Sequence, residues 1–143
     1  MVRAIGLDLG SRRIGVAVSD SDGRLAMPIE VLLRTGDREG EHRAVAALVA
    51  EWEAEVVVVG VPYSLDGSTG PMAKTMIAEA DQLSTSLGVP VVTHDERLTT
   101  VTADRQLREQ DMRGEDRRKV VDKVAASVML QAWLEGQAGE QPT

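Results

Sequence analysis

The chain has 143 residues, 43% of them hydrophobic, with no cysteine and no phenylalanine. That length suits a single domain with its own core, built here from Val, Leu, Ile, Ala and Met; disulfides, zinc–thiolate centres and cysteine nucleophiles are excluded, and a reducing cytoplasm is the expected compartment. A formal net charge of −7 argues against a protein that coats nucleic acid at large, but not against an enzyme that meets phosphates through a bound cation, because the cation inverts the local sign.

No apolar run approaches the ~18–20 residues needed to span a membrane. Asp8 and Arg12 interrupt the N-terminus too early for a signal peptide. No membrane partner is expected.

The first strand is expected over Val2–Leu9 and the second over Ile14–Ser19, joined by a turn over Gly10–Arg13. Paired as a hairpin, Leu9 meets Ile14, Asp8 meets Gly15, Leu7 meets Val16 and Gly6 meets Ala17. Side chains alternate between strand faces. One face then carries Ile5, Leu7, Leu9, Ile14, Val16 and Val18. The other carries Ala4, Gly6, Gly15, Ala17 and Ser19 around a single charge, Asp8. Glycine inside a strand often marks a close approach, so the small face leaves room for an ion or substrate to reach Asp8. The alternative is a structural Asp8 bonded to the turn or to an Arg such as Arg12.

Asp20-Ser21-Asp22-Gly23 has turn composition and leads to a third strand near Leu25–Leu33. Pro28 makes that an edge strand. A helix to about Glu53 shows Val45, Leu48, Val49 and Trp52 at helical spacing, with His42 expected in solvent. Glu55–Val61 is a continuous Val run, the pattern of a parallel strand buried on both faces. The loop Pro62–Pro71 can offer hydroxyls and backbone N–H groups to a phosphate. Pro71 suits the first turn of the next helix, whose core face is Met76, Ile77, Ala80, Leu83 and Leu87. Its Met residues read as core filler.

Val89–Thr93 is a second short buried strand, and His94, Asp95 and Glu96 follow just past its end. Ligands of open α/β sheets bind outside such ends. Adjacent acids point in different directions, so only one of Asp95 and Glu96 faces Asp8. A helix is expected over Thr100–Gln110, a break at Asp111–Gly114, and a last helix over Asp116–Glu135 with Val121, Val124, Ala125, Val128 and Ala132 as its apolar stripe. Asp122 sits at the edge of that stripe. Gly136 ends the helix, and Gln137–Thr143 reads as a disordered tail. Three antiparallel strands thus precede two parallel ones reached by helical crossovers. This is an α/β three-layer domain over residues 1–136, with helices on both faces of a mixed five-stranded sheet.

Asp8, Glu96 and Asp122 would supply hard oxygen ligands from three distant segments, a set suited to Mg²⁺ or Mn²⁺ and not to zinc. Two such ions about 3.5–4 Å apart can activate water and stabilise the leaving oxygen in phosphodiester cleavage. Candidate substrate contacts are Arg12 by the turn, Ser64 in the loop, Arg97 beside Glu96, and Lys119 and Lys123 on the last helix. The basic residues between Arg105 and Lys123 are interleaved with acids, as on a mixed helical surface.

GLDLGSRRIGVAVSD at Gly6–Asp20, GVPYSLDGSTGP at Gly60–Pro71, HDERLTTVTA at His94–Ala103 and KVVDKVAAS at Lys119–Ser127 resemble, in order and over nearly the whole chain, the YqgF-type pre-16S rRNA nucleases. Those proteins are also described as Holliday-junction-resolvase-like. The resemblance implies an RNase H-like fold and a cytoplasmic nuclease that trims the 5′ end of a 16S rRNA precursor, with structured RNA, branched DNA and ribosomal precursor particles as partners. It also implies that Asp8, Glu96 and Asp122 hold the metal. The chain departs from the family pattern at Ser64, where Asn is usual, and at Thr102, where Glu is common. Both lie outside the carboxylate set and bear on loop contacts and substrate preference. Competing expectations are a Holliday-junction resolvase acting on DNA, a noncatalytic ribosome-assembly or transcription factor, and an ATP-binding domain of the actin and sugar-kinase kind, which would need a second domain.

Overall fold

The computed structural model describes residues 3–63, 66–96 and 115–140. The expected helix over Thr100–Gln110 and the break at Asp111–Gly114 lie outside them. The elements run β1 (Ala4–Leu9), β2 (Arg13–Ser19), β3 (Ala26–Leu33), α1 (Arg38–Glu51), β4 (Val56–Val61), α2 (Pro71–Ser86), β5 (Val91–Asp95) and α3 (Glu115–Glu140).

The five strands form one sheet in the order β3-β2-β1-β4-β5. β1 and β2 pair antiparallel in the expected register, with Asp8 opposite Gly15. β1 with β4 and β4 with β5 are parallel. β3 lies at the edge, as Pro28 requires, because a ring nitrogen has no N–H for a second neighbour. Asp20 acts as turn chemistry predicts: its Oδ1 accepts the N–H groups of Arg24 and Leu25 at 2.9 and 3.3 Å.

Each face of the sheet has its own core. The large-residue face of the hairpin packs with Val57 and Val59 of β4 against Val45, Leu48 and Val49 of α1 and Ala80 and Leu83 of α2. On the small-residue face, Ala4, Ala17, Val56 and Val58 pack against Ala126, Met129, Leu130 and Leu134 of α3. The small residues therefore admit a helix. A Cβ on Gly6 would stand 2.8 Å from Leu130 Cβ, and one on Gly15 would collide with the backbone carbonyl of Asp122.

Several expectations are corrected. The buried face of α3 is Asp122, Ala125, Ala126, Met129, Leu130 and Leu134, while Val128 is exposed. The stripe is thus rotated from the expected one, because the narrow sheet face selects Ala and long side chains unbranched at Cβ over Val. Gly136 does not stop the helix, which continues to Glu140. Arg13, His94 and Asp95 lie within strands, not in the adjoining loops. His42 is buried, not solvated, and Met72 is 64% exposed, so it is not core filler.

Candidate active site at the carboxyl end of the sheet

Asp8 is 5% exposed near the end of β1. Strand alternation places it on the α3 face with Gly6. Its cross-strand partner on β2 is Gly15. On the other side, Leu7 pairs with Val59, so the next residues along are Asp8 and Gly60. The acid is thus flanked by two glycines, and each glycine receives another acidic residue. Gly15 takes the backbone of Asp122, and a Cβ on Gly60 would lie 2.6 Å from Glu96 Oε1. Asp95 pairs with Val61 one position further along. Of the two adjacent acids it is therefore Glu96 that reaches the α3 face, as alternation predicts.

Asp122 is 2% exposed, and its Oδ2 accepts a hydrogen bond from Arg13 Nε at 2.6 Å. The sequence hides Arg13 because it sits at the border between the turn and β2. Once it belongs to β2, period-two alternation puts it on the same face as Gly15. Asp8, Glu96 and Asp122 share one face and one end of the sheet. Among the described residues, however, no three His, Asp or Glu side chains are gathered as a ready-made metal cage.

His94 lies beside Gly60 in the ladder, two residues before Glu96. Its Nε2 is buried and has no hydrogen-bond partner among the described residues. Burial holds the imidazole below its ordinary pKa, and the charge of Asp95 only partly opposes that. Arg12 is exposed and Lys123 half-buried. Ser64, Arg97 and Thr102 lie outside the described residues, as do the side chain of Lys119 and most of the Arg105–Lys123 run.

Beyond the same end of β1, on the opposite side of the sheet, lies a charged network that the sequence did not suggest. Arg34 donates from Nε to the carbonyl of Gly10 at 3.0 Å, from Nη1 to Glu41 Oε1 and Glu79 Oε2 at 3.0 and 2.7 Å, and from Nη2 to Glu79 Oε1 at 2.8 Å. His42 Nε2 is 2.8 Å from Glu79 Oε2. Glu41 Oε2 accepts the N–H groups of Thr35 and Gly36 at 2.8 and 3.0 Å. Burial pushes both carboxyls up, but Arg34 and the other donors outweigh it and hold both below their ordinary range. Arg34 thereby ties the turn that follows Asp8 to α1 and α2.

The sheet order and the helices on both faces define an RNase H-like fold of the resolvase type. Thermus thermophilus RuvC, solved in complex with a Holliday junction substrate, superposes with a TM-score of 0.63 at 16% identity over 97% of both chains. The yeast mitochondrial Holliday junction resolvase Ydc2 gives 0.53 at 13% identity over 96% of this chain and 79% of that one. The particular family is set by sequence: residues 2–136 match the profile of the RuvX family, described as "Holliday junction resolvase", and the chain belongs to that family. Relatives from Mycobacterium sp. (strain KMS) and Anaeromyxobacter sp. (strain Fw109-5) are 48% and 44% identical, over 93% and 94% of this chain and 79% and 98% of their own lengths. Both bear the name "Putative pre-16S rRNA nuclease".

Proposed function

We propose that the chain is a divalent-metal-dependent nuclease that hydrolyses phosphodiester bonds in the 5′-end processing of precursor 16S rRNA in the cytoplasm. The observation that carries this is the placement of Asp8, Glu96 and Asp122 around the Gly15–Asp8–Gly60 row at the carboxyl end of β1.

The donor set fits Mg²⁺ or Mn²⁺. All three candidates offer hard carboxylate oxygens, and Mg²⁺ uses one or two carboxylates while keeping several waters. Gly60 leaves the space that Glu96 Oε1 occupies. Asp8 and Glu96 would hold the ion, with Asp122 contributing against the competing pull of Arg13. A bound ion of this kind supplies an activated water and stabilises the leaving oxygen. The chain's own residues do the rest. The glycine row lets Glu96 and the backbone of α3 close in on Asp8, the wall of α3 keeps Asp8 dry on one side, and Arg13 fixes the carboxylate of Asp122 in one orientation. Arg12 and Lys123 would meet the strand's phosphates, contacts that position a nucleic acid without reading its sequence.

A second reading, cleavage of four-way DNA junctions, is favoured by the description of the family itself. One experiment separates the two. The purified protein is incubated with precursor rRNA and with four-way junctions, each with Mn²⁺ and with chelator. Metal-dependent cutting of the rRNA at its 5′ end supports the first reading, and cutting of the junction alone supports the second. No cutting of either contradicts both.

A further inference from the structure

A cavity of about 790 Å³ opens at the carboxyl end of β1, between the turn after Asp8, the β3–α1 connection and the first turns of α2. Such crevices outside the ends of parallel strands are where α/β sheets bind ligands, and this volume lies within the range of small-molecule pockets. Asp8 itself forms part of the lining.

The walls differ in chemistry. Pro71, Met72 and Met76 make one side. Met72 is 64% exposed, a large apolar side chain left uncovered at the rim. Ser11, Arg38 and Thr75 add polar groups to the lining of the cavity. Glu41 and Glu79 also line it, but their oxygens are already taken by Arg34, His42 and the backbone of Thr35 and Gly36. The spare capacity is therefore donor in character. Arg38 gives Nη1 to Gln82 Oε1 at 3.2 Å but keeps the rest of a half-exposed guanidinium, whose Nε is 3.9 Å from Glu79. α2 starts at Pro71 with no side-chain cap. Lys74 is the first residue to bond back to Gly70, so the N–H groups of Met72 and Ala73 have no helix carbonyl to meet.

We propose that this cavity is a subsite for a nucleoside 5′-monophosphate, either free or as the phosphorylated end of a strand whose backbone reaches Asp8. The base lies on the Met72–Met76–Pro71 wall. The phosphate takes Arg38, the Ser11 hydroxyl and the first-turn amides of α2. Binding of the mononucleotide stands without the nuclease reading, whereas the strand-end form rests on it.

The test is calorimetry in chelator, which removes metal-dependent chemistry from the measurement. AMP, GMP, CMP and UMP, the matching nucleosides, and a short oligoribonucleotide with and without a 5′-phosphate are titrated into wild type, Arg38→Ala and Met72→Glu. Both substituted side chains are substantially exposed, and circular dichroism checks that each variant is folded. Saturable mononucleotide binding is expected, weakened roughly tenfold or more by either variant and by loss of the phosphate. Preference for the phosphorylated oligonucleotide identifies a strand end as the source; binding of mononucleotides alone identifies the free ligand. No saturable binding of any phosphorylated probe at millimolar concentration overturns the proposal, as does equal affinity in folded variants. A protein that cleaves RNA yet binds no mononucleotide loses this subsite and keeps the nuclease reading. One that binds mononucleotide but never cleaves does the reverse.

Discussion

Arg13 and Asp122 are 109 residues apart in the chain, yet Arg13 Nε stands 2.6 Å from Asp122 Oδ2. The pair fastens the opening hairpin to the last helix. Removing one partner of a buried ion pair leaves an uncompensated charge and costs about 3–5 kcal/mol. Asp122→Ala is therefore expected to lower stability by about that amount, read from urea unfolding. Asp122→Asn keeps an oxygen for the guanidinium and is expected to lose less. Equal unfolding midpoints for Asp122→Ala and wild type would show that the pair does not hold the helix.

Gly15→Ala probes the close approach of α3. The new methyl would collide with the carbonyl of Asp122, which belongs to helix backbone and cannot rotate away. Overpacking of this kind costs about 1–3 kcal/mol. The same change at Gly88, where a Cβ meets nothing within 4 Å, serves as the control. Thermal unfolding of the two variants should differ, with Gly15→Ala melting lower.

Arg34 is the hub of the second network. Replacing it with Met strands Glu79 and Glu41, both buried, and is expected to cost about 3–5 kcal/mol. Arg34→Lys restores the charge but not the fork that meets both oxygens of Glu79, so its stability should fall between the two. The readout that a purely structural role would not move is the cleavage rate measured well below the melting temperature. Because Arg34 also holds the carbonyl of Gly10, Arg34→Lys is expected to slow cleavage while still folded.

The same network sets a pH dependence. Glu41 and Glu79 have pKa values below their ordinary 4.5 in the folded protein. The unfolded chain then binds more protons in the interval, so stability is full above the ordinary value and drains as pH falls through the depressed ones. Urea unfolding between neutral pH and about pH 3 should show this loss, and Glu41→Gln should flatten it. An unchanged acid limb in Glu41→Gln would remove Glu41 from the account.

What was legible in the sequence follows from the range of the forces involved. The hairpin register could be read because a period-two pattern with glycines opposite an acid has one self-consistent pairing, and the structure has that pairing. Pro28 marked the edge strand through a missing N–H. β4 was evident from its unbroken Val content; β5 was expected to be buried like it, but it lies at the sheet edge with Val92 and Thr93 exposed. The orientation of α3 was not, because apolar residues surround it and only the narrowness of the opposing sheet face selects among them. Starting from Asp122 itself, the positions three, four, seven and eight residues on are Ala125, Ala126, Met129 and Leu130, the buried set.

Within the candidate site, Asp8 stood out because it breaks an apolar strand, Asp95 and Glu96 because they follow a strand end, and Asp122 only as part of the set and of the family resemblance. Arg13, Arg34, Glu41, His42 and Glu79 carried no such signal. Their partners lie on other segments of the chain, so only long-range packing makes them buried. His42 is the clearest case. It faces solvent by local pattern, yet it is buried because Glu79, 37 residues away, accepts its hydrogen bond.

The most direct measurement compares cleavage of precursor 16S rRNA by wild type and by Asp8→Asn in Mn²⁺, with binding of Mn²⁺ followed by calorimetry on the same samples. Metal-dependent cutting by wild type, together with loss of both cutting and metal binding in a folded Asp8→Asn, is the predicted result. Equal cutting by the two proteins, or cutting by neither in the presence of Mn²⁺, would contradict it.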